Sequence, residues 1–180
     1  VNERILFMKT IVIYYSQTGF TKRYAKWIAE AKKADCLELS KAKKKNLSEY
    51  KTIIFGSWAC AGGIRKLNWF KKNIDKWKDK KLIVFCVGAS PIDSPEIDLA
   101  LKRNFKESEL KRVSVFYCPG GLNYKRMSLS SKLMMKIFVT TLKAKKDKTN
   151  AEQETIKMIS SSYNIADKKY IEPILNCLSK

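Results

Sequence analysis

The chain has 180 residues, 45% of them apolar and 30% charged, and its formal net charge is +20. This length suits one well-packed domain and is short for two. No apolar run approaches the roughly 20 residues of a membrane-spanning helix, and the first residues lack the pattern of a secretory signal, so we expect a soluble chain. Because Met8 can begin a natural chain, we predict one domain over 8–180 and treat 1–7 as an N-terminal extension.

Five short apolar segments predict the strands of one sheet. Most are nearly continuous in apolar character, which is typical of strands covered on both faces, and the second is a weaker edge strand. The predicted strands are 10–15, 35–39, 52–56, 82–88 and 113–118. Helical patterns alternate with them, which predicts an α/β fold with a parallel sheet. These patterns cover 21–33, 64–77 and 95–106, the last beginning at Ser94-Pro95-Glu96.

A helical insertion is predicted after the fifth strand, at about 120–165. One helix presents an apolar face followed by lysines, and Thr149-Asn150-Ala151-Glu152 forms a capping box that begins the next. The apolar face consists of Leu129, Leu133, Met134, Ile137, Phe138 and Leu142. A last helix is predicted over 167–178, with a bend at Pro173.

Two features of the composition restrict the chemistry. Histidine is absent, which excludes Ser-His-Asp and Cys-His catalysis and histidine metal sites. The five cysteines form neither a CxxC pair nor zinc-ligand spacing, so we predict no metal site and a reducing, cytoplasmic compartment. We assign no catalytic side chain, because a cofactor would supply any redox chemistry.

Side chains that form hydrogen bonds surround one glycine after the first predicted strand, in Ser16-Gln17-Thr18-Gly19-Phe20-Thr21. Gly19 allows close approach of the backbone, and the helix that follows offers free N–H groups and the positive end of its dipole. The segment is neither a GxxxxGK[ST] loop nor a GxGxxG loop. We interpret it as a loop for a phosphate, and an ordinary N-cap turn is the alternative.

Two further loops are predicted at the same edge of the sheet, since the carboxyl ends of parallel strands lie side by side. They are 57–63 after the third strand and 88–94 after the fourth. Trp58 in the first of them is a candidate ligand contact or, alternatively, a hydrophobic plug. Cys60 is interpreted as a small residue that fills the loop in preference to a reactive thiol, and the other four cysteines as packing residues.

These motifs resemble the flavodoxin family over about 9–118 and the final helix. Ser16, Thr18, Gly19 and Thr21 match the family's phosphate loop, and "YKTIIFGSWACAGGI" and "LIVFCVGASPID" stand where it carries its two flavin-flanking loops. The resemblance implies a flavodoxin-like three-layer fold with strand order 2-1-3-4-5. The stretch "YCPGGLNYKRMSLSSKLMMKIF" resembles the insertion of the flavodoxin-domain protoporphyrinogen oxidase (dehydrogenase) branch.

The resemblance also implies FMN as the cofactor. Its phosphate would be held by the first loop, Trp58 would pack on the isoalloxazine ring, and the remaining residues would follow the ring edge and the pyrimidine side. The implied cofactor-binding residues are Ser16, Gln17, Thr18, Gly19, Phe20, Thr21, Ser57, Trp58, Ala59, Cys60, Gly62, Gly88, Ala89, Ser90, Ile92 and Asp93.

The predicted function is an FMN-binding oxidoreductase or electron-transfer protein, with protoporphyrinogen dehydrogenation as the more specific option. The expected partner is a redox protein or a small hydrophobic anionic substrate. The basic, apolar segment 122–148 is either a docking surface for that substrate or an anionic membrane, or an ordinary packed helix with solvated lysines. The alternative function is a basic binding module for nucleic acid or membrane without redox turnover. No nucleic-acid-binding signature is present, so we predict no specific nucleic acid.

Overall fold

A parallel sheet forms the centre of the computed structural model, which describes residues 9–179. The predicted extension 1–7 lies outside the described residues. In chain order the strands are β1 (Thr10–Tyr14), β2 (Asp35–Glu38), β3 (Thr52–Cys60), β4 (Gly63–Ile64), β5 (Lys81–Gly88) and β6 (Val113–Pro119). The parallel strands follow the order β2-β1-β3-β5-β6, and the short β4 pairs antiparallel with the end of β3. Apart from β4, this is the predicted five-stranded order, which is confirmed.

Helices cover both faces of the sheet because neighbouring residues of a buried strand point to opposite sides. On one face, Val12 packs with α1 (Phe20–Lys32) and α8 (Glu172–Leu178). On the other face, Ile11 and Ile13 belong to a second core with side chains from the shorter helices. These helices are α2 (Leu39–Ala42), α3 (Leu67–Lys71) and α4 (Ile97–Lys102), and α5 (Glu107–Leu110) packs nearby.

The predicted helix over 64–77 is wrong in extent. Ile64 belongs to β4, and Lys66 has φ +59, a left-handed conformation that a helix cannot contain, so α3 begins only after it. At the other end, the Asn73 side chain donates to the Trp69 carbonyl at 2.7 Å, and the chain continues into a 3₁₀ turn.

The predicted helix over 95–106 is also shorter, and Ser94 does not cap it. The Ser94 N–H donates to the Pro91 carbonyl, so this segment is a turn and α4 begins at Ile97. The side chain of Asn104 donates to the Ala100 carbonyl at 2.7 Å near the end of α4, where it replaces a continuing helical bond.

The insertion after β6 begins and ends in a two-stranded antiparallel ribbon, β7 (Gly121–Leu122) with β8 (Tyr163–Asn164). Between these strands lie α6 (Leu129–Ala144) and α7 (Asn150–Ile159). The predicted capping box is confirmed, since Thr149 and Glu152 exchange hydrogen bonds at the start of α7.

The last helix differs from its prediction in one detail. A 3₁₀ turn over Lys168–Ile171 precedes α8, and Pro173 lies in the first turn of α8, where its missing N–H costs no helical bond. Pro173 therefore begins the helix and does not bend it. No helix within residues 9–179 has both the length and the apolar character needed to cross a membrane.

Candidate functional site

The loops after β1, β3 and β5 border one cavity of about 440 Å³, and the insertion closes its far side. Ligand pockets of proteins usually span about 300–1,000 Å³. The cavity lies at the carboxyl edge of the sheet, between β1 and β3, where the chain order of the strands reverses. This is the position at which open parallel sheets bind their ligands.

The first loop is organised around Gly19, whose φ of +103° is a conformation that favours glycine. Its N–H donates to the Ser16 hydroxyl at 3.2 Å, and its carbonyl accepts the first helical bond, from Arg23, at 3.0 Å. Ser16 and Gly19 thus shape the loop without bordering the cavity themselves. Four predicted residues of this loop do border the cavity, and they are Gln17, Thr18, Phe20 and Thr21.

The predicted second loop, 57–63, is shorter than expected because β3 continues to Cys60. Trp58, Ala59 and Cys60 border the cavity from the end of β3, and Gly62 borders it from the turn that follows. The indole N–H of Trp58 is buried and is the one such side-chain group in residues 9–179 without a hydrogen-bond partner. The Arg65 guanidinium lies over its ring at 5.7 Å, which leaves at most one face of the indole for a ligand.

Ser57, also in β3, does not reach the cavity. Its hydroxyl is fully buried and donates to the Arg65 carbonyl at 2.5 Å, which supports the turn between β3 and β4. Its contribution to the site is therefore structural, through the backbone that carries Trp58.

The third loop brings only its first residues to the site. Gly88 and Ala89 border the cavity, and Ser90 borders a smaller adjoining cavity of about 120 Å³. The structure does not bring Ile92 and Asp93 into either wall, because they occupy the middle of the turn after Pro91 and are exposed to solvent.

Two tyrosines that the sequence did not identify hold this third loop. Tyr117 on β6 donates its hydroxyl proton to the Ser90 carbonyl at 2.8 Å, and Tyr163 on β8 donates to the Ala89 carbonyl at 2.6 Å. Burial raises the pKa of Tyr163 to about 12 and also raises the pKa of Tyr117, so both remain protonated donors near neutral pH. Tyr117 and Tyr163 both lie far in sequence from the loop that they hold, so no local motif indicates these contacts. The one available signal was the alternation of side chains along β6, which could have suggested Tyr117.

The far wall of the cavity comes from the insertion and is mostly apolar. Its side chains are flexible and polarisable, since methionine predominates. The residues are Gly121, Leu122, Met127, Ser131, Met134, Met135 and Phe138. In the sequence, the apolar face predicted for α6 was the signal for this wall, but the pattern did not show which residues of α6 point into the cavity.

The residues present fit FMN. The start of α1 offers backbone N–H groups and hydroxyls to a phosphate without a side chain on Gly19 to obstruct them. The apolar space beyond it suits a flat aromatic ring, and the Trp58 side chain borders that space. The roles of the individual residues toward the cofactor stay predictions.

A doubly covered parallel sheet, with a hydroxyl-rich phosphate loop after its first strand, defines the class of flavodoxin-like flavoproteins. The family model described as the flavodoxin domain matches residues 11–150, which include all three loops and most of the insertion. The chain belongs to the flavodoxin domain family, and this membership implies FMN as its cofactor.

Solved structures similar to this chain include flavodoxins and WrbA-like proteins. A flavodoxin, WrbA-like protein from Agrobacterium tumefaciens is 28% identical over 47% of this chain and 62% of its own, less than two thirds of its length, with a TM-score of 0.41. The Trp repressor binding protein of Bacillus subtilis is 16% identical over 78% of this chain and 100% of its own, with a TM-score of 0.47. An archaeal flavodoxin is 21% identical over 66% of this chain and 88% of its own, with a TM-score of 0.41. No curated protein matches the chain.

Proposed function

We propose that this protein is an FMN-dependent oxidoreductase whose substrate is a hydrophobic, anionic tetrapyrrole of the porphyrinogen class, bound between the flavin and α6. One observation carries the proposal: the insertion places an apolar wall opposite the flavin-flanking loops. Its central residues are Met134, Met135 and Phe138. A carrier that only exchanges electrons with a protein partner needs an exposed flavin edge and gains nothing from such a wall.

The charge beside this wall supports an anionic substrate. Lys132 and Lys136 lie one turn apart on α6, next in sequence to the cavity residues Ser131 and Met135. No described carboxylate forms an ion pair with either lysine. Each lysine points about 100° around the helix from its cavity neighbour. Their positive charge would therefore favour a substrate's carboxylates through the potential it adds near the cavity, without direct contact.

The chain's own residues bind and orient the reactants in this proposal. Bound FMN supplies two-electron dehydrogenation chemistry, so that no side chain has to act as an acid or a base. The apolar wall excludes water from the cavity, and the tyrosine-held third loop keeps the backbone beside the ring in place.

The test is an oxygen-free reaction with the FMN-loaded protein in excess. A porphyrinogen gives up six electrons on becoming a porphyrin and each bound FMN accepts two, so about three FMN-loaded proteins should lose their oxidised flavin absorbance for each fluorescent porphyrin formed. Phe138→Ser, with FMN affinity unchanged, should slow this reaction about 10-fold, since it removes apolar contact with the substrate. If porphyrinogen leaves the flavin oxidised while a flavodoxin reductase reduces it readily, the protein is an electron carrier and the substrate class is wrong.

The outer side of α6 favours a second interaction, with an anionic membrane surface. Leu129, Leu133 and Ile137 recur every fourth residue and form an exposed stripe, Leu129 being 84% exposed. At 3.6 residues per turn, Lys132, Lys136 and Lys143 lie beside this stripe. An apolar stripe flanked by lysines suits the boundary between headgroups and acyl chains of anionic lipids.

Vesicle cosedimentation tests this interaction. The protein should bind vesicles that contain phosphatidylglycerol and not vesicles of phosphatidylcholine alone. The double variant Leu133→Ser/Ile137→Ser should lose most of the binding. Leu99→Ser is the matched control, because Leu99 is also an exposed leucine but lies on α4, away from the insertion. Equal losses in both variants would contradict a specific role of α6.

A further inference from the structure

Arg126, which the sequence did not single out, lies against the phosphate loop. A Cβ atom placed on Gly19 would lie 3.1 Å from Nη1 of Arg126 and 3.7 Å from its Cζ. The guanidinium therefore rests on the glycine at which α1 begins. Arg126 itself stands between β7 and α6, in the first residues of the insertion.

The backbone around Arg126 is held in place by a turn. Its N–H donates to the carbonyl and the side-chain oxygen of Asn123, at 3.1 and 3.3 Å, and the Met127 N–H donates to the same carbonyl at 3.1 Å. Two residues further on, the Ser128 hydroxyl accepts a hydrogen bond from the Gln17 side chain at 3.2 Å. The start of the insertion thus touches the phosphate loop at two points.

Within residues 9–179, no carboxylate forms an ion pair with the guanidinium of Arg126, and the residue is exposed to solvent. The phosphate loop offers only neutral donors, hydroxyls and N–H groups, whereas a phosphate monoester carries about −1.5 to −2 charges near neutral pH. Arginine is the side chain best suited to such an anion, because its planar guanidinium can donate two parallel hydrogen bonds.

We propose that Arg126 is a phosphate-binding residue that the insertion supplies to the cofactor site. This inference rests on the FMN site proposed above and adds a cation to a loop that otherwise binds through neutral groups. It also gives the insertion a second role, since Arg126 and the start of α1 would together hold the phosphate of a bound cofactor.

Flavin titrations of the full, flavin-free chain test this assignment. FMN and riboflavin, which lacks the phosphate, are each titrated by the quenching of flavin fluorescence. Arg126→Gln should weaken FMN binding about 10- to 30-fold and leave riboflavin binding unchanged, since charge-assisted hydrogen bonds are the strongest available to a phosphate. Arg126→Lys, which keeps the charge, should lose less.

Lys125→Gln is the matched control, because it removes an exposed positive charge from the neighbouring position. It should change FMN affinity less than about 2-fold, as expected for a screened surface charge. The assignment is overturned if Arg126→Gln weakens both flavins equally, weakens neither, or matches Lys125→Gln. A wild-type chain that binds neither flavin would refute the FMN site itself, whereas normal FMN binding by Arg126→Gln refutes only the role of Arg126.

Discussion

The longest helix of the insertion and the helix beside the phosphate loop are held in different ways. α1 has 13 residues and buries six of them against the sheet, whereas none of the described residues of α6, which has 16, is fully buried. α6 is held at its beginning, by the Ser128 cap and the Gln17 hydrogen bond, and by contacts with α7. We therefore expect the sheet region to be the more stable of the two, and α6, with few buried contacts, to unfold locally at lower free-energy cost.

The largest expected effect is on the free energy of unfolding, and it should differ between two phenylalanines, one from each region. Phe55 is fully buried and packs on Phe70 and Trp69, while Phe138 in α6 is 50% exposed. Phe55→Ala should lower the free energy of unfolding by about 3–5 kcal/mol, because it leaves a cavity in the core. Phe138→Ala should change it by less than about 0.5 kcal/mol. Chemical denaturation measures both, and a large loss for Phe138→Ala would mean that α6 is part of the cooperative core.

The two tyrosines that hold the third loop sharpen the same comparison, since one comes from the sheet and one from the insertion. Tyr117→Phe and Tyr163→Phe each remove one hydrogen bond to this loop, worth about 1 kcal/mol. If the loop contacts the flavin, each variant should weaken FMN binding about 5-fold. Tyr124→Phe is a control, because its hydroxyl bonds to the Ile159 carbonyl within the insertion. Flavin titration should show no change for it.

A smaller effect concerns acid, and within the insertion we expect it at the start of α7. The Lys145 ammonium, and then the Thr149 N–H, lower the pKa of Glu152 from its usual 4.5 to about 2. Because the pKa of Glu152 is depressed in the folded state, its ionised carboxylate stabilises the start of α7 fully at pH values above its usual pKa. This stabilisation is lost as the pH falls from about 4.5 toward 2. Carbon chemical shifts should show α7 fraying over this range while β3 and β5 are unchanged.

Glu152→Gln removes the titrating group and keeps a side chain of similar shape. In this variant the start of α7 should be less helical at neutral pH, and its chemical shifts should no longer depend on pH in the acid range. A persistent acid transition in the variant would assign the effect to another group.

The smallest effect is electrostatic and involves both regions. With a net charge of +20, the protein should stabilise the anionic reduced flavin more than an acidic flavodoxin does, which raises the potential of the last reduction step. Raising the salt concentration from about 0.01 M to 1 M shortens the screening length from about 30 Å to 3 Å, so this potential should fall. A redox titration at both salt concentrations measures the shift, and a potential that rises with salt would contradict the idea.

The sheet was predictable from the sequence, and so was α1, because continuous apolar strands and an amphipathic helix are local patterns. The predicted helix over 21–33 differs from α1 by one residue at each end. The short α3 was not predictable, since it depends on the left-handed backbone of Lys66, a residue type that gives no warning of it.

The candidate site was predictable in part, for a similar reason. The phosphate loop and Trp58 were predictable because each belongs to a motif formed by a few consecutive residues. The contacts of Tyr117, Tyr163 and Arg126 join segments far apart in the chain, and only the folded structure brings them to the loops. Ile92 was placed at the flavin by resemblance, but the turn after Pro91 directs the chain away from the cavity.

The β7–β8 ribbon has a consequence for how such proteins can diverge. By pairing Gly121 with Asn164 and Leu122 with Tyr163, it brings the two ends of the insertion together at the edge of the sheet. Once those ends are fixed, doubling the length of the segment between them adds only about 0.6 kcal/mol of loop-closure entropy. The segment can therefore lengthen, shorten or change its apolar face while the cofactor platform keeps its geometry, so that new substrates can be recruited without a new fold.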